Sequence, residues 1–120
     1  MRLIPLLLLT ACYGQEAWVD TLGASHCSRY RACYPDDFDE LYEDNGECKD
    51  AWRGLWDDFD ACLAEAGCAY DPKGAAACDK AIRGADCDSI GNGAWTDACT
   101  EIYTCDLGDS IAAGLCAIGF

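Results

Sequence analysis

Valine occurs once, at Val19, and no stretch alternates apolar and polar residues over the length of a strand. A β-sandwich or barrel is therefore not expected. Histidine also occurs once, at His26, and no two cysteines stand closer than six positions apart. Zinc fingers and ribbons need closer cysteine spacing, as do thioredoxin-type Cys-x-x-Cys and haem-attachment motifs, so none of these is expected. Lysine and arginine together number 8 against 22 acidic residues, a net charge of −14, which excludes nucleic acid as a partner. No apolar run approaches the roughly 20 residues a membrane-spanning helix requires. Ser25, Ser28, Ser89 and Ser110 sit in no nucleophile-elbow context, and no catalytic constellation stands out, so the chain is not expected to be an enzyme.

Cysteine, in contrast, is abundant, with 11 in 120 residues. The first of them follows Leu9-Thr10-Ala11, directly behind Arg2 and the run Leu3 to Leu9 that Pro5 interrupts. This segment resembles a bacterial lipoprotein signal with its lipobox. The resemblance implies that residues 1–11 are a signal peptide removed on export and that Cys12 becomes a lipidated first residue, leading through a tether over 12–16 into a domain over 17–120.

Without residues 1–11, seven basic residues face 22 acidic ones, a net charge of −15. Such a body is repelled by anionic headgroups, so the lipid and not the protein surface is expected to hold it at the membrane. Large aliphatic residues beyond Cys12 number only twelve. Trp18, Trp52, Trp56 and Trp95 must supply much of the buried area instead. The remaining cysteines, Cys27, Cys33, Cys48, Cys62, Cys68, Cys78, Cys87, Cys99, Cys105 and Cys116, form an even set of ten. In an oxidising compartment that parity points to five disulfides. At roughly 2–4 kcal/mol each, and not additive, several bridges rival the ~5–15 kcal/mol net stability of an ordinary domain.

Apolar periodicity is helical nearly throughout, so the expected fold is mostly α, a small disulfide-rich helical bundle. Val19, Leu22, His26, Tyr30 and Cys33 make one stripe of a helix from about Glu16, stopped by Pro35. A short helix over Asp36–Tyr42 should end at Asn45-Gly46. A strong amphipathic helix follows, carrying Cys48, Trp52, Leu55, Phe59, Cys62 and Ala66 on one face, with Gly67 as a C-cap. Asp71-Pro72 opens another, with Ala75, Cys78, Ile82 and Ala85 inward and Gly84 near its end. After a Gly91-Asn92-Gly93 loop, Trp95, Cys99 and Ile102 suggest a helix to about Thr104, and a tail carries Ile111, Leu115 and Cys116.

Two cysteines six apart recur at Cys27 and Cys33, Cys62 and Cys68, Cys99 and Cys105. Six helical residues separate two side chains by about 120° in azimuth and about 9 Å along the axis, so bridges must run between elements. Cys48 and Cys62 share nearly one face but lie about 21 Å apart, and should meet different partners. Spacing favours Cys62 with Cys78 across the Gly67–Asp71 turn, and Cys33 with Cys48, while leaving the connectivity open.

Asp36, Asp37, Asp39, Glu40, Glu43, Asp44 and Glu47 form the densest acidic segment. Low-affinity calcium binding there is the alternative function; placing Gly46 at position six of an EF-hand loop, however, puts Leu41 first and Trp52 twelfth, where ligands are needed. A solvated acidic helix is the simpler reading. No other cofactor is expected. His26 adjoins Cys27, but neighbours on a helix point about 100° apart, which leaves a packed structural histidine. Trp18, Trp52 and Trp56 could line a groove, for carbohydrate in particular; their helical spacing makes core packing the ordinary reading.

Taken together, Cys27, Tyr30 and Cys33, then Cys48, Cys62, Ala77-Cys78 with Ala81-Ile82, Cys87 and Ala98-Cys99 resemble the small cysteine-rich lipoproteins of myxobacteria, over most of the mature chain. That resemblance implies an address more than an activity. By the sorting rule of enteric lipoproteins, Tyr13 in place of an aspartate after Cys12 implies the outer membrane, facing periplasm or exterior. The expected role is structural or protein-interacting at the cell envelope, with an envelope or extracellular protein as partner. Because bridges substitute for aliphatic core, reduction without denaturant is expected to abolish the far-UV helical signal. A helical spectrum that survives full thiol release contradicts this.

Overall fold

A computed structural model describes residues 13–106 together with Cys116. Cys12 and residues 1–11 lie outside the described residues, as do Ile111 and Leu115 of the tail. Among these residues five α-helices, a 3-10 helix and two short strands follow one another: α1 (Trp18–Cys33), α2 (Pro35–Leu41), α3 (Asn45–Glu65), β1 (Ala69–Tyr70), α4 (Pro72–Gly84), α5 (Cys87–Asn92), a 3-10 helix (Ala94–Cys99) and β2 (Tyr103–Thr104). The mostly helical, disulfide-rich class is as the sequence led us to expect.

Local chemistry sets the helix ends. Pro35 and Pro72 each occupy a first turn, where a missing N–H breaks no helical hydrogen bond. Side chains of Asp44, Asp71 and Asp86 accept from the backbone N–H of Glu47, Lys73 and Ser89, so three helices begin on an aspartate cap. Gly67, at φ 81°, takes the left-handed turn after α3 that a side chain would resist.

Helix α1 is the hub, touching α2, α3, α4 and α5. Its Trp18, Val19 and Leu22 enter the main core with Leu63, Ala75, Ile82, Ile90 and Ile102. A smaller core forms around fully buried Phe38 between Cys27 and Cys48. At the far end of α1, Arg29 donates to the Ala85 carbonyl at 2.6 Å and the Tyr34 hydroxyl to the Cys87 carbonyl at 2.7 Å. Those bonds clamp α1 to the α4–α5 junction.

All ten cysteines among the described residues pair: Cys27–Cys48, Cys33–Cys87, Cys62–Cys116, Cys68–Cys105 and Cys78–Cys99. As the azimuths required, every bridge joins different elements, and Cys48 and Cys62 reach different partners. Both favoured pairs are corrected. Cys62 meets Cys116, not Cys78, because the buried side of α4 faces the 3-10 helix and delivers Cys78 to Cys99. Cys27 rather than Cys33 takes Cys48, since Phe38 fills the space beside that bridge, and Cys33, rotated away, reaches α5.

Other expectations shift as well. Residues 13–16 are not a free tether: Tyr13 is 8% exposed, and its hydroxyl donates to Asp79 at 2.7 Å. Asn45-Gly46 opens α3 instead of ending α2, because Asp44 caps one residue earlier. Gly91 and Asn92 are the last residues of α5, leaving Gly93 alone to make the left-handed turn. The segment expected to be helical to Thr104 is 3-10 helix followed by β2, which pairs antiparallel with β1 through Ala69 with Thr104 and Tyr70 with Tyr103.

Close backbone approach is tightest at Gly74, where an added Cβ would collide with the Glu101 carbonyl group. Gly54, in α3, has nothing within 4 Å of the same position. Gly74→Ala is therefore expected to destabilise by about 1–3 kcal/mol or more through overpacking. Gly54→Ala should stabilise by roughly 0.5–1 kcal/mol through helix propensity. Denaturant midpoints of the two variants with bridges intact check the pair, and the same sign of shift in both contradicts it.

Candidate functional site

The acidic segment is not gathered into a ligand set. Asp36, Asp37, Asp39, Glu40, Glu43, Asp44 and Glu47 are all exposed, and no cluster of three or more metal-ligating side chains exists among the described residues. Two of the seven already serve the backbone: Asp44 caps α3, and the Glu47 carboxylate accepts from the Glu43 N–H at 3.4 Å. Asp36 and Asp37 sit in the first turn of α2, where they complement the helix dipole.

The better-built feature is an apolar cavity of 390 Å³ between α1, α3 and the 3-10 helix. Trp52, Trp56, Phe59 and Leu63 come from one face of α3, at helical spacings of four, three and four. Opposite them stand Trp95 and Cys99 of the 3-10 helix, with Thr96 and Thr100. Leu22 and Cys78 are the most buried of its walls. Trp18, 3% exposed, is core as well as wall, while Trp52, Trp56 and Trp95 are half-buried.

Ring geometry is continuous around this space. Trp52 lies 5.5 Å from Trp56 and 6.2 Å from Trp95 between centroids, and Trp56 meets Phe59 edge-on at 5.5 Å. Helices α1 and α3 approach closely there because residue 23 is glycine: a Cβ would stand 2.7 Å from the Trp52 ring. The Trp52 indole N–H, pressed near that backbone, is buried without an acceptor. An unmet buried donor costs about 1–3 kcal/mol, so the ring position is held by packing and not by a polar bond.

Polar groups at the edge are occupied within the protein. Asp60 accepts from the Trp18 indole N–H at 2.9 Å and from the Tyr103 hydroxyl, which itself accepts from Gln15 at 3.3 Å. Burial and the bonded Asp60 carboxylate raise the Tyr103 phenol above its ordinary value, and burial raises that of Tyr70. Both stay neutral at physiological pH. The Thr96 hydroxyl donates to the Gly93 carbonyl at 2.7 Å, and that of Thr100 to the Asp97 carbonyl at 3.5 Å. The cavity thus offers ring faces and methyl groups with few free hydrogen bonds.

His26 packs behind the aromatic wall, 5.0 Å from Trp52 and 5.3 Å from Trp95. Cys27 beside it is in a bridge, so the two form no nucleophile pair. Trp18, Trp52 and Trp56 were legible as candidates for a groove, although their helical spacing favoured core packing, and Phe59 was legible on the same face as Trp52; the part of Trp95 was not, because its position depends on where the 3-10 helix and Cys78–Cys99 place the opposite wall. Comparison with protein-family models, with curated proteins and with solved structures finds no match to this chain.

Burial pushes the His26 imidazole below its ordinary value of 6.5. At pH near 6 the unfolded chain then binds more protons than the folded one. Stability from the neutral ring is fully present above that ordinary value and is lost as pH falls through the lower folded value. Between about pH 7.5 and about pH 5.5, above the range where carboxylates titrate, the wild type should lose more stability than His26→Gln. Parallel denaturation midpoints for both proteins across that window contradict a buried neutral ring.

Proposed function

We propose that this chain is an exported lipoprotein of the small cysteine-rich bacterial type. It is held through Cys12 at the outer membrane, on its periplasmic or cell-surface face, with a structural or protein-interaction role in the envelope and no catalytic activity. The reading rests on the cysteine pairing: five bridges take all ten cysteines beyond Cys12, leaving that one sulfur outside the framework. Bridges in such number persist outside the reducing cytosol. Leu9-Thr10-Ala11 before Cys12 supplies the matching processing signal.

Two further features suit the role. No helix among the described residues is long and apolar enough to cross a membrane, so lipid is the attachment this reading requires. Tyr13 is fastened at both ends of the residue, its hydroxyl to Asp79 and its carbonyl accepting from the Tyr70 hydroxyl. With the anchor one residue away, the domain is held against the bilayer surface with no flexible spacer.

Mass spectrometry of native, unreduced protein extracted from membranes tests this reading. The expected result is an acylated Cys12 as first residue and five cystine-linked peptide pairs. Recovery from the soluble cell interior with residues 1–11 retained and thiols free overturns it.

A further inference from the structure

The hydroxyls around the aromatic cavity are already spent within the protein, while the Trp52 indole N–H is a buried donor without an acceptor, and this restricts what the cavity can hold. A sugar needs several hydrogen-bond partners beside a stacking ring; here the Thr96, Thr100 and Tyr103 hydroxyls and the Trp18 N–H already donate within the protein. Uncharged apolar molecules would fill the space, at 390 Å³ near the lower end of the roughly 300–1,000 Å³ range of ligand sites. What selects among apolar ligands is charge.

Of the two main wall-forming stretches, Trp52–Leu63 carries a single basic residue, Arg53, and Trp95–Cys105 carries none. Between Arg53 and Lys73 the chain carries Asp57, Asp58, Asp60, Glu65 and Asp71 with no lysine or arginine, and beyond Arg83 no basic residue occurs at all. Arg53 itself is engaged by Asp20 and Asp50, each at 2.5 Å. Anions are therefore repelled from the approach, and cations are drawn to it. Inside, the half-buried indoles of Trp52, Trp56 and Trp95 line the space, and indole rings attract a positive charge through their quadrupoles. His26, behind Trp52 and Trp95, stays neutral and adds no opposing charge at neutral pH.

We infer that this cavity binds small organic cations with an apolar body, of the alkyl- or aryl-ammonium class, through aromatic faces and long-range attraction rather than through hydrogen bonds. Quaternary nitrogen suits it best, because such a centre needs no hydrogen-bond acceptor. The inference stands whether or not Cys12 carries lipid.

Isothermal titration calorimetry on the disulfide-intact protein tests it, with decyltrimethylammonium, decyl maltoside and decyl sulfate as probes, all below their aggregation concentrations. The cation is expected to bind saturably at one site and the neutral and anionic probes at least about tenfold more weakly. Trp56→Leu keeps apolar bulk while removing a π-face, and should weaken the cation by about tenfold while leaving the neutral probe nearly unchanged. Leu55→Ala, at an exposed position outside the cavity, is the control for adsorption to the acidic surface and should change nothing. Equal binding of all three probes, cation binding untouched by Trp56→Leu, or no saturable heat each overturns the inference. Should Trp56→Leu lose its native helical spectrum, Trp95→Leu provides the same comparison from the opposite wall.

Discussion

Helix α1 is cross-linked near its middle and at its end, through Cys27 to α3 and through Cys33 to α5, and the rest of the domain is arranged around those two attachments. Their spacing explains why one helix can organise four others. Six residues turn the helix by a net 120° or so, and each sulfur then faces a different neighbour. The cores follow the bridges: Phe38 seals the side of Cys27–Cys48, and the main core fills the volume between α1, α3 and α4. With so few large aliphatic side chains, apolar burial alone gives a weak gradient for choosing one arrangement among many. Covalent links restrict the unfolded ensemble and thereby make up the difference.

Where sulfur is absent, carboxylates assist. Asp79, 3% exposed, accepts from the hydroxyls of Tyr13 and Ser25 and pairs with Arg83 at 3.0 Å. Asp60 gathers Trp18 and Tyr103 from opposite ends of the chain. Each carboxylate thus ties sequence-distant aromatic groups to a helix, and its charge-assisted bonds are stronger than neutral ones. The acidity of the protein is therefore divided in function. Most aspartates are exposed, three cap helices, and two hold the interior together.

The helices were legible because their signals are local: Pro35 and Pro72 in first turns, Gly67 after α3, and the Ala75, Cys78, Ile82 stripe of α4 all act within a few residues. Asp44-x-x-Glu47 is also a local capping pattern, and it marks the start of α3 at Asn45, behind the Asp44 cap. The two-stranded sheet was not legible. Its strands are two residues each, too short to show alternation, and they exist because Cys68–Cys105 closes them and Tyr70, Tyr103 and Trp18 pack together across the pair. Trp95, Cys99 and Ile102 keep helical spacing although the chain leaves the helix after Cys99, since the approach of Gly74 to Glu101 and the bridge to Cys78 override local preference there. Cystine pairing failed for the same reason: it is a statement about tertiary geometry, and spacing along one helix says which residues cannot meet but not which do.

The aromatic cavity is best understood as a consequence of that cross-linked frame. In an unlinked bundle, facing indoles beside a hollow would draw the helices together until the apolar surface was covered. Here Cys78, Cys99 and Cys105 line the hollow, tied by Cys78–Cys99 and Cys68–Cys105, while Cys27–Cys48 sets the spacing of α1 and α3. Helices fixed covalently at those points cannot slide to close the gap. Large rigid rings, which bridge wide spaces with few rotatable bonds, then line the cavity instead of filling it. A frame made to compensate for a thin core in this way leaves open an apolar recess that a better-packed domain of the same size would have closed.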